Sequence, residues 1–246
     1  MKPFLVLQLR PETEASDDEF AAILRKGGLT ESDVTRIRLD QNDLPDDLAL
    51  FDYSGVIVGG GPGCISDPVE KKSSVEARIE AGVLSLMPEI TAHDFPYLGC
   101  CYGIGILGHH LGGEVSKARY SEPVGTSDCF LTQDGQTDPI CDGIPDAFQA
   151  FVGHKEAVQS LPEGCVHLVA SPTCPYQMIR FGQNVYATQF HPEADGAGFE
   201  TRINIYKHRG YFPPEDADDL IAMCRAANVY APERVLKNFV QSYARA

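Results

Sequence analysis

Phe95-Pro-Tyr-Leu-Gly-Cys-Cys-Tyr-Gly-Ile104 reads as a buried strand handed directly to a helix. The short apolar run through Tyr97 and Leu98 stops at Gly99, and an apolar, glycine-containing run from Tyr102 to Leu111 has the look of a helix. Between them stands Cys101, with Gly99 two residues before it and Gly103 two after. That spacing suits a tight strand-to-helix turn that aims one side chain outward and leaves little room at its flanks. A helix N-terminus beneath the sulfur favours thiolate over thiol, which would make Cys101 a nucleophile. Two buried core cysteines are the alternative that this run leaves open.

Upstream, Phe4 to Leu9 is a compact β-rich run. Thr13 or Ser16 is placed to cap a helix through Phe20, Ile23 and Leu24 that ends near Gly27-Gly28. Val34 to Leu39 and Gly55 to Val58 read as the next strands, giving the early signature of an α/β domain. Gly59-Gly60-Gly61-Pro62-Gly63 follows at the strand end. Consecutive glycines there let backbone N–H groups approach a ligand or a developing anion. The run lacks a dinucleotide fingerprint and the Lys-Ser/Thr ending of an ATP loop, and a plain tight turn fixed by Pro62 is the competing reading. From Ser74 to His93, Val75, Ile79, Val83, Leu84 and Met87 recur at helical spacing, with Pro88 expected to interrupt or end the helix. Arg78 and Glu80 are expected to face solvent.

Downstream, residues 124–131, 147–152, 166–170, 177–181 and 185–190 read as short strands separated by Asp/Gly/Pro turns. They predict hairpins that extend the sheet with an antiparallel layer. Tyr186-Ala-Thr-Gln-Phe-His191-Pro-Glu193 then delivers a histidine to a turn with an acid two residues on. If the chain bends there, Glu193 orients the ring and the other imidazole nitrogen is free to meet the Cys101 sulfur. Three apolar-patterned segments, around 199–207, from Pro214 and from Pro232, predict a helical tail.

The 246 residues carry a formal net charge of −15, which argues against a general nucleic-acid or anionic-membrane surface. No run reaches the roughly 18 apolar residues of a membrane span, and the first ten residues form too short an apolar run for an export signal. A cytoplasmic location with mostly reduced thiols is the expectation for the eight cysteines. These lack paired metal-knuckle spacing, so neither metal nor organic cofactor is expected.

Taken together, three motifs resemble a known family. Gly99-Cys-Cys101-Tyr-Gly103 resembles the nucleophile motif of class I glutamine amidotransferases, Phe190-His191-Pro-Glu193 their histidine-acid motif, and Gly60-Gly61-Pro62-Gly63 their oxyanion loop. The similarity spans roughly residues 45–193 and is greatest to the stand-alone branch similar to the glutaminase domain of GMP synthetase. It implies a three-layer, flavodoxin-like α/β fold with a mostly parallel central sheet, added antiparallel hairpins and a helical C-terminal tail, in one domain over residues 1–246. It further implies that Cys101 attacks a carboxamide, His191 activates it, Glu193 orients His191, and the backbone N–H groups of Gly61 and Tyr102 receive the oxyanion. Gly105 departs from the pattern, standing where the family usually has a substrate-recognising glutamine. The implied partners are L-glutamine or another γ-glutamyl small molecule and a separate ammonia-accepting enzyme, with neither nucleic acid nor membrane. An amidotransferase-like hydrolase therefore stands first, beside a γ-glutamyl peptidase and a non-catalytic regulatory or assembly module.

Overall fold

The structure, a computed structural model, describes residues 2–244. The chain begins β1 (Phe4–Gln8), α1 (Thr13–Gly27), β2 (Val34–Arg38), β3 (Val56–Val58), α2 (Ser74–Ala92), β4 (Tyr97–Cys100) and α3 (Tyr102–His110). It continues through β5 (Val115–Ser116), β6 (Glu122–Leu131), β7 (Ala147–His154), β8 (Ala157–Val158), β9 (Cys165–Ala170), β10 (Met178–Phe181) and β11 (Val185–Thr188). Three helices close it: α4 (Gly196–Tyr206), α5 (Ala217–Ala226) and α6 (Glu233–Tyr243).

Nine strands form one sheet in the order β2-β1-β3-β4-β11-β10-β9-β6-β7. From β2 to β11 every neighbour is parallel, in the 2-1-3-4-5 order of flavodoxin-like folds. From β11 to β7 every neighbour is antiparallel. The predicted hairpins thus extend the central sheet, while β5 and β8 pair separately.

Period-two alternation in the parallel strands builds two cores. Phe4 and Val6 of β1 join Ile57 and Leu98 on one face, where Phe20 and Ile23 of α1 and Val235, Leu236 and Phe239 of α6 cover them. Leu5 and Leu7 join Val56, Val58 and Tyr97 on the other face, under Ile79, Val83 and Met87 of α2 and Ile104 and Leu107 of α3. Both faces are buried, as a parallel sheet requires. A smaller cluster of Phe151, Phe199, Ile203, Ala217 and Cys224 fastens α4 and α5 beside β7.

Several local expectations are corrected. Pro88 neither breaks nor ends α2, which continues to Ala92. Val83, Met87 and Ile90 are buried on the sheet, and this packing outweighs the roughly 3 kcal/mol cost of an interior proline. The N-terminus of α2 has a capping box, with Ser73 Oγ accepting from the Glu76 N–H at 3.2 Å and Glu76 Oε2 accepting from the Ser73 N–H at 2.8 Å. Helix α1 starts after Glu12 without a side-chain cap from Thr13 or Ser16, and Ser16 Oγ instead accepts from Arg36 at 3.2 Å. Neither Arg78 nor Glu80 faces open solvent. Arg78 donates to the Leu39 carbonyl at 3.1 Å, and Glu80 pairs with Lys72 at 2.6 Å. All eight cysteines are free thiols. Among the described residues, no helix is long and apolar enough to cross a membrane.

Candidate active site

Adjacent parallel strands bring the two sequence-distant motifs together. In the β4–β11 ladder Cys100 lies opposite Thr188, and the Cys101 N–H donates to the Thr188 carbonyl at 2.7 Å. The carboxyl ends of these strands open into the crevice where α/β sheets bind ligands. Cys101 takes φ 54° and ψ −90°, a sparsely populated conformation for a residue with a Cβ. Such backbone strain costs about 1–3 kcal/mol. The turn is so tight that a Cβ at Gly99 would lie 2.6 Å from Tyr97 Oη and 2.9 Å from the Gly103 carbonyl carbon.

Beyond β11 the chain turns at buried Phe190, and the His191 N–H donates to the Phe151 carbonyl at 3.0 Å. His191 Nδ1 donates to Glu193 Oε1 at 2.8 Å, with both side chains almost wholly buried. The edge of the His191 ring meets Phe199 at a centroid separation of 5.6 Å. Cys101, His191 and Gly61 line a cavity of about 30 Å³ together with Arg10 and Arg202. Gln189 Nε2 lies 4.0 Å from the Cys101 sulfur.

Burial pushes the Cys101 thiol up to about 12, against the opposing pull of the Arg10 and Arg202 guanidinium groups. The expected resting thiolate is therefore corrected, because burial outweighs the favourable helix end and a base must take the proton as the sulfur reacts. Burial, aided by Arg202 and Arg10 and opposed by Glu193, holds His191 below the ordinary imidazole range, so it is the neutral base. Burial alone would raise the Glu193 carboxyl. The charge of His191, then that of Arg202, and the His191 hydrogen bond outweigh it and hold the acid well below the carboxylate range.

The glycine loop runs alongside. The Gly60 N–H donates to Glu19 Oε1 at 3.1 Å, and a Cβ at Gly60 would stand 2.7 Å from His191 Cε1 and 2.8 Å from Arg10 Nη2. Among the described residues, neither the Gly61 nor the Tyr102 backbone N–H has a hydrogen-bond acceptor. Buried Glu156 fixes the far end of the loop, accepting from the Ile65 N–H at 2.8 Å and from the Ser66 N–H at 3.0 Å. Glu156 also occupies the space beside Gly105, where an added Cβ would meet its Oε1 at 3.2 Å. The glycine therefore opens no extra room.

His154 stands behind this wall. It donates from Nε2 to Glu122 Oε2 at 2.8 Å and from Nδ1 to the Glu156 carbonyl at 2.9 Å. Glu122, His154 and Cys174 offer ligand atoms within 4.8 Å of one another. However, Glu122 also accepts from Ser127 at 2.8 Å, from Gln177 at 2.6 Å and from Thr173, a set that satisfies the carboxylate without an ion. Over the front, Tyr211 donates to the Pro62 carbonyl at 3.2 Å, and Lys155 Nζ sits 4.0 Å from its ring centroid. A second cavity of about 540 Å³ adjoins, lined by Leu9, Gly61, Pro62, Tyr102, Lys155 and Tyr211.

The family model described as "Glutamine amidotransferase class-I" matches residues 17–204, more than half of the chain. The chain belongs to the class I glutamine amidotransferases. This amidotransferase is 33% identical over 157 residues to a GMP synthase [glutamine-hydrolyzing] of Neisseria meningitidis, the match covering 61% of this chain and 26% of that protein. It thus spans about a quarter of the length of such synthases. It is 27% identical over 174 residues to a GMP synthase [glutamine-hydrolyzing] subunit of Picrophilus torridus, covering 69% of this chain and 85% of that one. Its fold matches the crystal structure of a glutamine amidotransferase from Thermotoga maritima with TM-score 0.76 at 19% identity, over the whole of both chains. A Methylobacillus flagellatus glutamine amidotransferase matches with TM-score 0.72 at 20% identity, covering 100% of this chain and 97% of that one.

Sequence reading missed Arg10, Glu19 and Arg202, all buried around His191 and Glu193. One signal was present. Phe199, Arg202, Ile203 and Tyr206 share one helical face, so an arginine sits in an otherwise apolar stripe of α4.

Proposed function

We propose that this chain hydrolyses a γ-glutamyl amide through a thioester on Cys101 and releases ammonia. The observation that carries the reading is the strained Cys101 turn facing the same cavity as the His191–Glu193 pair, in a chain of this family. His191 Nε2 takes the thiol proton as sulfur attacks the carboxamide carbon, while Nδ1 stays bonded to Glu193. The Gly61 and Tyr102 N–H groups receive the negative charge that develops on the carbonyl oxygen, each worth about 3 kcal/mol to the transition state. As the C–N bond breaks, His191 returns the proton to the leaving nitrogen and ammonia departs. A water molecule, deprotonated by His191, then cleaves the thioester, freeing glutamate and the thiol.

L-glutamine as substrate and a separate ammonia-accepting enzyme as partner follow from the likeness to whole GMP synthases and to the free-standing Picrophilus torridus protein. The eight free thiols suit a cytoplasmic setting. A second reading, a γ-glutamyl peptidase, is favoured by the adjoining 540 Å³ cavity, which has room for a leaving group far larger than ammonia.

The test offers purified protein L-glutamine, γ-glutamyl-p-nitroanilide and γ-glutamyl dipeptides, and measures ammonia, glutamate and free amine. Ammonia release from glutamine supports the first reading and preferential amine release the second. No turnover and no labelling of Cys101 by a glutamine-derived diazoketone would leave a non-catalytic module. Gly60→Ala provides an internal check, because its Cβ must displace His191 or Arg10. A shift of that kind is expected to lower kcat roughly 10²-fold on the preferred substrate. Unchanged kcat in a folded G60A protein would contradict the placement of His191 as the base.

A further inference from the structure

Behind His191 and Glu193 lie four buried ionic groups of alternating sign. Arg10, just past β1, donates from Nε to Glu19 Oε1 on α1 at 2.8 Å. Arg202 Nη2, on α4, lies 3.9 Å from that same oxygen and donates to Glu193 Oε1 at 2.9 Å. Glu193 Oε1 also accepts from His191, so a single oxygen links the guanidinium to the imidazole. Among the described residues, Arg202 Nε and Nη1 have no hydrogen-bond partner. The guanidinium is thus tied by its one hydrogen bond to Glu193 and rests 5.3 Å from the centroid of the Phe199 ring, whose edge faces His191. A residue serving only to staple α4 to the sheet would engage more of its donors, since a buried donor left unbonded is costly.

We propose that Arg202 is a positioning residue for the proposed hydrolase, acting through Glu193 to keep the acid ionised and aligned and lending positive charge to the Cys101 thiolate as it forms. The proposal rests on the hydrolase reading and adds a residue outside the three motifs that led to it. Arg10 supplies a second positive charge in the same cavity, and Glu19 keeps the two guanidinium groups together. The other charged or titratable groups around the pair are Asp18 on α1, Cys100 and Cys101 at the turn, and Tyr206 on α4, which accepts from Arg10 Nη1 at 3.3 Å. Removing the Arg202 charge raises the pH at which Cys101 becomes reactive, because the thiolate loses a buried positive neighbour while burial still opposes it.

The test is the rate of Cys101 carboxamidomethylation by iodoacetamide between pH 5 and 10, read by peptide mass spectrometry. In this reaction the sulfur forms a bond to carbon and iodide leaves, so no substrate need be known. Near-ultraviolet circular dichroism checks the fold of each variant. R202M is expected to move the midpoint up by about one pH unit, making labelling below the midpoint about tenfold slower. R202Q keeps a hydrogen-bond donor without the charge and is expected to shift likewise; it carries the test if R202M does not fold. R202K keeps the charge and is expected to retain most of the wild-type midpoint. Profiles of R202M or R202Q that overlay the wild type, or an R202K shift as large as theirs, would overturn the proposal while leaving the hydrolase reading intact. Failure of the wild-type protein to label at Cys101 would overturn both.

Discussion

Replacing Cys101 by alanine is expected to remove turnover of γ-glutamyl amides, by about 10⁴–10⁶-fold. The sulfur is the one atom in the proposed sequence that no neighbour replaces, since Gln189 and Arg10 beside it have no nucleophilic function. Glu193→Gln should cost less, because the base remains while its orientation and charge balance suffer. Steady-state ammonia release and trapping of an acyl-protein by mass spectrometry measure both, and a C101A protein retaining more than a hundredth of wild-type activity would sink the thioester route. The same position also permits a stability comparison. Alanine keeps the Cβ and hence the strain of φ 54°, whereas Cys101→Gly relieves it. C101G is expected to melt a few degrees above C101A, each kcal/mol being worth about 2–4 °C in a chain of this size. Both should be inactive, so the conformation that exposes the thiol opposes stability.

Glu122→Ala is expected to produce the largest loss of stability of any single change proposed here. The substitution strands the buried His154 ring and the donors of Ser127, Thr173 and Gln177. Removing one member of a buried, hydrogen-bonded ion pair costs about 3–5 kcal/mol. Burial would raise the Glu122 carboxyl, but hydrogen bonds from His154 and Thr173, the His154 charge and the Ser127 hydrogen bond outweigh it and hold the acid below its ordinary value. The contribution is therefore full above the unfolded carboxyl value near 4.3 and lost as pH falls through the depressed folded value. Glu122→Gln should lower the urea midpoint at pH 7 and narrow its gap from the wild type below about pH 4. A gap that stays constant with pH would show that Glu122 is not ionised in the native state.

The parts of the site legible in the sequence are those whose geometry is local. Gly99, Cys101 and Gly103 announce a turn, and His191 and Glu193 are close enough along the chain for the acid to reach the ring without knowledge of the fold. Arg10, Glu19 and Arg202 form their bonds between separate elements, and Arg10 and Tyr206 lie 196 positions apart. Periodicity can say that such residues are covered but not what covers them. The fold shows the same division. The parallel half was readable from continuous apolar runs with both faces buried. By contrast, continuation of α2 past Pro88 depended on the sheet beneath it. Glu122 is the clearest omission, because a lone acid at the start of a strand looks solvated until the donors around it are known.

The pairing of β4 with β11 has one more consequence. The separation of sulfur and imidazole is measured across a backbone ladder one strand spacing wide, whatever the length of chain that departs at Cys101 and returns at Val185. Loops on that excursion, such as the turn between β6 and β7, can lengthen or shorten with no change in the gap. A one-residue slip of β11 against β4 would instead send its alternate side chains to the opposite face and carry His191 away with them. Evolutionary or engineered variation in this chain should therefore gather as insertions between residues 131 and 147, while the lengths of the two short strands stay fixed.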